Sequence, residues 1–71
     1  MSDAFGRKLR AYRKLKHWTQ TELANLVGVS VAIIGSLERG TRSPTPELML
    51  KLQDVLVVSE TELLGTAQGA D

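Results

Sequence analysis

The chain has 71 residues, 42% of them hydrophobic, and a net charge of +1. A domain this small buries only roughly 60% of the surface its unfolded chain exposes, so with Phe5, Tyr12 and Trp18 as its aromatics it can close a core but not the walled pocket of an enzyme. The lack of cysteine excludes disulfides and thiolate metal sites and fits a reducing cytoplasm, one histidine makes no metal cluster, no signal peptide is visible, and the longest apolar runs, 31–34 and 55–58, fall far short of the roughly 20 residues of a membrane span.

Five helical segments follow in order, which makes the fold class all-α. The first covers about residues 4–16, where Phe5, Leu9 and Tyr12, with Leu15 as a further candidate, recur at helical spacing. Arg7, Lys8, Arg10 and Lys14 lie elsewhere around the cylinder, and Ser2 or Asp3 can cap it. The second covers about 20–27. Thr19 and Glu22 have the spacing of a capping box, and Leu23, Ala24 and Val27 make the apolar stripe. Trp18, just before the cap, reads as a hydrophobic staple against Leu23 in preference to a base-stacking residue. Gly28, Val29 and Ser30 supply a residue free to take positive φ, an apolar plug and a new N-cap. A third helix therefore starts at Val31, faces inward through Ile34 and Leu37, and ends at Gly40. Two short helices across so tight a turn read as a helix-turn-helix.

After a loop over 40–45, Thr45 caps a fourth helix whose first residue is Pro46, where the missing N–H is harmless, with Glu47 suited to the dipole. Leu48, Met49, Leu52, Val55 and Leu56 form its buried stripe. Ser59 and Glu62 give a second capping box for a short fifth helix through Leu64, stopped by Gly65. Residues 1–65 form the domain, and 66–71 have nothing to bury and read as a disordered tail. Charge is divided along the chain. Residues 1–42 carry eight Lys or Arg against three acids, a net +5, whereas residues 43–71 carry one against five, a net −4. Such a chain turns its basic side toward a polyanion, unless the basic helix is simply a solvated face.

Taken together, Gly6, Leu9 and Arg13; TQxxLA at 19–24; GVS at 28–30; ERG at 38–40; Pro44; and LxVS at 56–59 resemble the Cro and C1 helix-turn-helix repressors, the xenobiotic-response-element family. The resemblance spans about residues 5–64. It implies a compact five-helix bundle of the lambda-repressor-like type with the third helix in the major groove of double-stranded DNA. It also implies that Gln20, with the second helix's N-terminus and Thr19 beside it, binds phosphate, the alternative being an ordinary exposed glutamine. Arg13 and Glu38 take the place of an ion pair tying the first helix to the third. Thr41, Arg42 and Ser43 stand where relatives touch the DNA backbone, Arg42 being the best suited to phosphate.

The third helix departs from the family pattern. Polar residues are usual at its first three positions, and here they are Val31, Ala32 and Ile33. Ser30 and Ser36 are the groove-facing residues able to hydrogen-bond, while Val31 and Ala32 can meet thymine methyls. Gly35 inside a helix implies that something approaches its backbone closely, either a phosphate or another protein. His17 stands at a left-handed position usually held by glycine, and it tolerates that conformation better than most residues. Gln53 replaces a buried alanine, which demands a hydrogen-bond partner or a shifted helix. Val57 replaces Gly or Asn before Val58 and Ser59 and is expected to change that turn.

The function these residues support is a sequence-specific, repressor-like transcriptional regulator in the cytoplasm, without cofactor or metal and with no membrane association. It would work as a homodimer, since one small domain contacts little DNA. Val57, Leu63 and Leu64 are candidates for the pairing surface or, equally, for core closure. The alternative is a protein-interaction module of the same fold, whose apolar third helix binds a partner protein.

Overall fold

The computed structural model describes residues 3–64, which form five helices: α1 (Asp3–Leu15), α2 (Gln20–Val27), α3 (Val31–Arg39), α4 (Pro46–Leu56) and α5 (Glu60–Leu64). The expected stop at Gly65 and tail at 66–71 lie outside the described residues. α1 packs on α3 and α5, α2 on α3 and α4, and α4 on α5. One core results. Leu9, Leu23, Ile34, Leu37, Leu52 and Leu63 are wholly excluded from solvent, and Phe5, Ala24, Val27, Leu48, Met49 and Leu56 complete the buried set. Trp18 and Tyr12 pack against it half-buried, the place a staple residue would occupy.

Local chemistry sets each helix start. Thr19 Oγ1 accepts from the Glu22 N–H at 3.0 Å while the Glu22 carboxylate accepts from the Thr19 N–H at 2.8 Å. Ser59 and Glu62 repeat the exchange at 3.0 and 2.7 Å. Thr45 Oγ1 accepts from the Leu48 N–H at 3.1 Å, ahead of Pro46. These bonds satisfy donors that an uncapped helix leaves orphaned.

The ends of α1 to α4 share another device, a left-handed residue at 17, 28, 40 or 57. In each case the following N–H reaches back to a carbonyl five residues earlier: Trp18 to Arg13, Val29 to Ala24, Thr41 to Ser36 and Val58 to Gln53, at 3.0–3.2 Å. This is the closing bond of a Schellman turn. Gly28 and Gly40, at φ 77° and 82°, enter that region without strain. His17 (φ 63°) keeps the left-handed conformation, as expected. Val57 does not change the turn as anticipated: it adopts φ 60° and donates to the Gln53 carbonyl. The bonds onto Gln53 hold a β-branched residue in a conformation that costs roughly 1–2 kcal/mol.

Other side chains also depart from expectation. Leu15 is 71% exposed, because Arg13, one turn after Leu9, takes the buried place in the last turn of α1. Of the two equal readings of Leu63, pairing surface or core closure, the structure shows core closure. Gln53 is half-buried at the surface beside Pro44, Pro46 and Leu50, so it keeps access to water and forces no shift of α4.

Gly6 sets how closely α1 and α3 approach. A Cβ at this position would lie 2.8 Å from the Leu37 carbonyl oxygen and nearer still to that of Glu38, both backbone atoms. Neither can swing aside. Gly6→Ala is therefore expected to destabilise the domain by at least about 2 kcal/mol, by forcing the helices apart; urea unfolding of the two proteins measures the difference, and a loss below 0.5 kcal/mol (roughly the scatter of neutral surface changes) contradicts the close approach.

Candidate nucleic-acid interface

The turn between α2 and α3 bends the chain by 111°, and a buried polar cluster fixes that arrangement. Arg13 on α1 meets Glu38 on α3 in a parallel two-point contact, Nε to Oε2 at 2.6 Å and Nη2 to Oε1 at 3.1 Å. The side chains are 9% and 5% exposed. Arg13 Nη1 also donates to the Trp18 carbonyl at 2.7 Å, and Gln20 Nε2 donates to Glu38 Oε1 at 3.0 Å. Three elements and the α1–α2 turn thus share one pair of charges. Truncating Glu38 strands the Arg13 cation in a dry site, so Glu38→Ala is expected to cost about 3–5 kcal/mol in chemical denaturation; a cost under 1 kcal/mol, typical of a surface ion pair, would contradict that role.

Outside this cluster, α3 presents its first turn. Val31 is 44% exposed and Ala32 is exposed. Ile33 instead is half-buried against the core, beside Val29 and Leu48 in a shallow groove flanked by Arg42 and Lys51. The Ser30 hydroxyl caps α3, accepting from the Ile33 N–H at 3.3 Å. As caps, Thr19 and Ser30 spend acceptor capacity only, and each hydroxyl retains a hydrogen to donate. Ser36 is half-buried, its Oγ 3.4 Å from Arg39 Nη2. Thr41 is drawn back into the end of α3, where its N–H and its hydroxyl both donate to the Ser36 carbonyl at 3.0 and 3.2 Å. Arg42 and Ser43 are exposed in the loop that follows.

Gln20, Ser36, Arg39 and Thr41 thus gather around the middle and end of α3, while Arg42 and Ser43 lie with Val29 and Ile33 at the α3–α4 groove. Gln20 is not the freely exposed side chain of the alternative reading: it is half-buried and held by Glu38. Arg39 is absent from the residues expected to contact DNA, because its place within the ERG triplet reads as scaffold. The signal that could have found it is Gly35, one helical turn before. The atoms near Gly35 are this chain's own, Arg39 Nη1 and the Gln20 amide, and neither a phosphate nor a second protein is needed to account for it. Among the described residues no group of acidic residues, histidines or cysteines is placed to hold a metal.

A pair of short helices bent by 111°, the second with Val31 and Ala32 of its first turn exposed, defines a helix-turn-helix nucleic-acid-binding module. Residues 9–63 match the helix-turn-helix family model. The chain is 44% identical over 62 residues to YazB, an uncharacterized HTH-type transcriptional regulator of Bacillus subtilis (strain 168), covering 87% of this chain and 90% of that protein. Among solved structures, it is similar to the restriction-modification controller protein C.AhdI from Aeromonas hydrophila, at 37% identity and a TM-score of 0.79 over 84% of this chain and 91% of that one. The DNA-binding domain of the P22 c2 repressor aligns at 32% identity and a TM-score of 0.80, over 100% and 96% of the respective chains. The chain belongs to the Cro/C1-type helix-turn-helix family, and it is a DNA-binding transcriptional regulator.

Proposed function

We propose that the protein is a repressor-like regulator that lays α3 in the major groove of double-stranded DNA and works in the cytoplasm as a homodimer. The observation that carries this reading is the exposed first turn of α3, Val31 and Ala32, standing clear of the core while Ile33 turns inward. A helix entering the groove by its N-terminus presents these side chains to base edges. Two small aliphatic groups suit thymine methyls, so the operator is expected to be A·T-containing where they touch it. Ser30, at the cap, adds a hydroxyl donor, and Ser36 lies further along the helix. Thr19 and Gln20 at the start of α2, with Arg42 and Ser43 after α3, serve as backbone contacts, whereas Thr41, whose N–H and hydroxyl both donate to the Ser36 carbonyl, has no donor left for a phosphate. Among the described residues no single helix is long and apolar enough to cross a membrane.

Binding to a mixed-sequence duplex should weaken with salt at a log–log slope of about −0.9 per phosphate engaged. Arg42→Ala should weaken every sequence alike and flatten that slope, whereas Val31→Ala should change which base is preferred; uniform loss from both refutes the division of roles. The second reading, a protein-docking helix, draws on the same exposed Val31. With Ile33 half-buried, its apolar surface shrinks to two small side chains, and it predicts no salt-dependent DNA binding.

For pairing, Leu63 is unavailable in the core and Leu64 is half-buried. Val57 is 76% exposed and Leu50, seven residues earlier, 65% exposed, a spacing that puts both on one face of α4 and its cap. A strained, exposed valine retained at a position that suits glycine supports a role in contact. Val57→Gly is expected to relieve the left-handed strain and leave the folded monomer as stable or more stable, by up to about 1 kcal/mol, while weakening self-association severalfold in analytical ultracentrifugation. Unchanged self-association would remove Val57 from the interface.

A further inference from the structure

Of the two glycines packed at α3, only one is required by backbone. A Cβ at Gly6 would strike carbonyl groups, but a Cβ at Gly35 would meet only the far ends of two side chains: Arg39 Nη1 at 3.1 Å and the Gln20 amide atoms at 4.0 Å. Glycine inside a nine-residue helix weakens it relative to alanine, and nothing in the backbone packing offsets that loss. What the missing side chain does permit is the posture of Arg39. Its guanidinium folds back one turn along α3, lies over Gly35 and touches Ser36 Oγ at 3.4 Å.

We propose that Gly35 is a seat for Arg39, and that the seated guanidinium grips a DNA phosphate together with the Gln20 amide. The inference rests on the DNA-binding reading above and adds to it one contact residue, Arg39, and one positioning residue, Gly35. Arg39 is exposed, and among the described residues no carboxylate pairs with it. Arg13, by contrast, spends its fork on Glu38 and Trp18. Gln20 gives one amide hydrogen to Glu38 and keeps the second. Both groups lie within 4.0 Å of one point above Gly35, so a single tetrahedral oxyanion can take donors from each, and a guanidinium fork matches phosphate geometry. Arg39 also stands eight residues, about 12 Å, along α3 from Val31. At that distance from the base-reading turn, a helix inserted by its N-terminus is passing the sugar–phosphate backbone. Seating has an energetic reason as well, since a long side chain already folded over Gly35 loses less rotamer freedom when it binds.

The test is fluorescence anisotropy on a labelled mixed-sequence duplex across a salt series, with thermal unfolding of each variant. Arg39→Ala should bind about tenfold more weakly and flatten the salt slope by about 0.9, with unfolding temperature little changed. Gly35→Ala should unfold at the same or a higher temperature, because alanine favours the helix, yet bind about threefold more weakly as the guanidinium is pushed off its seat. In the double variant the second substitution should add nothing to the loss from Arg39→Ala alone, the mark of two residues acting through one contact. Losses that simply multiply, or a Gly35→Ala protein that binds like the parent, overturn the seat. Arg39→Ala that binds like the parent while Arg42→Ala weakens binding overturns the phosphate contact and leaves the DNA-binding reading standing. No salt-dependent binding by the parent protein removes that reading, and this inference with it.

Discussion

A buried arginine has to find partners for all its donors, and the way Arg13 finds them determines how α2 and α3 are set against α1. Its carboxylate partner comes from α3, a further acceptor comes from the turn before α2, and α2 contributes Gln20 to the same carboxylate. Apolar packing alone specifies these positions loosely, since aliphatic side chains accept many small shifts. Charged hydrogen bonds at 2.6–3.1 Å do not. The pair need not add net stability over a well-packed apolar substitute. Its effect is geometric: the angle at which α3 leaves the body of the protein is tied to the position of α1 and of the first residue of α2.

That geometry also couples frame to function. Glu38 lies on the core side of α3 and holds Gln20, while the next residue, Arg39, is exposed and lies over Gly35. Adjacent residues on one helix thus point into the core network and toward the surface. The caps show a similar economy, because Thr19 and Ser30 organise the starts of α2 and α3 with the same hydroxyls that are proposed to meet DNA.

Local rules made most of the frame legible. Capping boxes at Thr19 and Ser59, proline at the first position of α4 and the glycines at 28 and 40 act over four or five residues, so their effect can be read from spacing alone. Spacing misleads where an outcome depends on more distant parts of the chain. Leu15 fits the helical period of α1 yet faces solvent, because the buried place in that turn is claimed by an arginine whose partner is 25 residues away. Val57 violates its own backbone preference because the α4 carbonyl of Gln53 holds the turn closed. At the interface, the apolar first turn of α3 was plain in the sequence, but the inward rotation of Ile33 and the posture of Arg39 over Gly35 depend on how α3 meets its neighbours.

The contact at Gly6 bears on how such a protein can change its target. Because α1 rests against the carbonyls of Leu37 and Glu38, the depth at which α3 sits is set by main chain against main chain, near the C-terminal end of that helix. Val31 and Ala32 take almost no part in holding it there. Under the proposed docking of α3, new side chains at those two positions alter which DNA is preferred while the helix keeps its seat, so specificity can drift through mutation without first passing through an unstable fold.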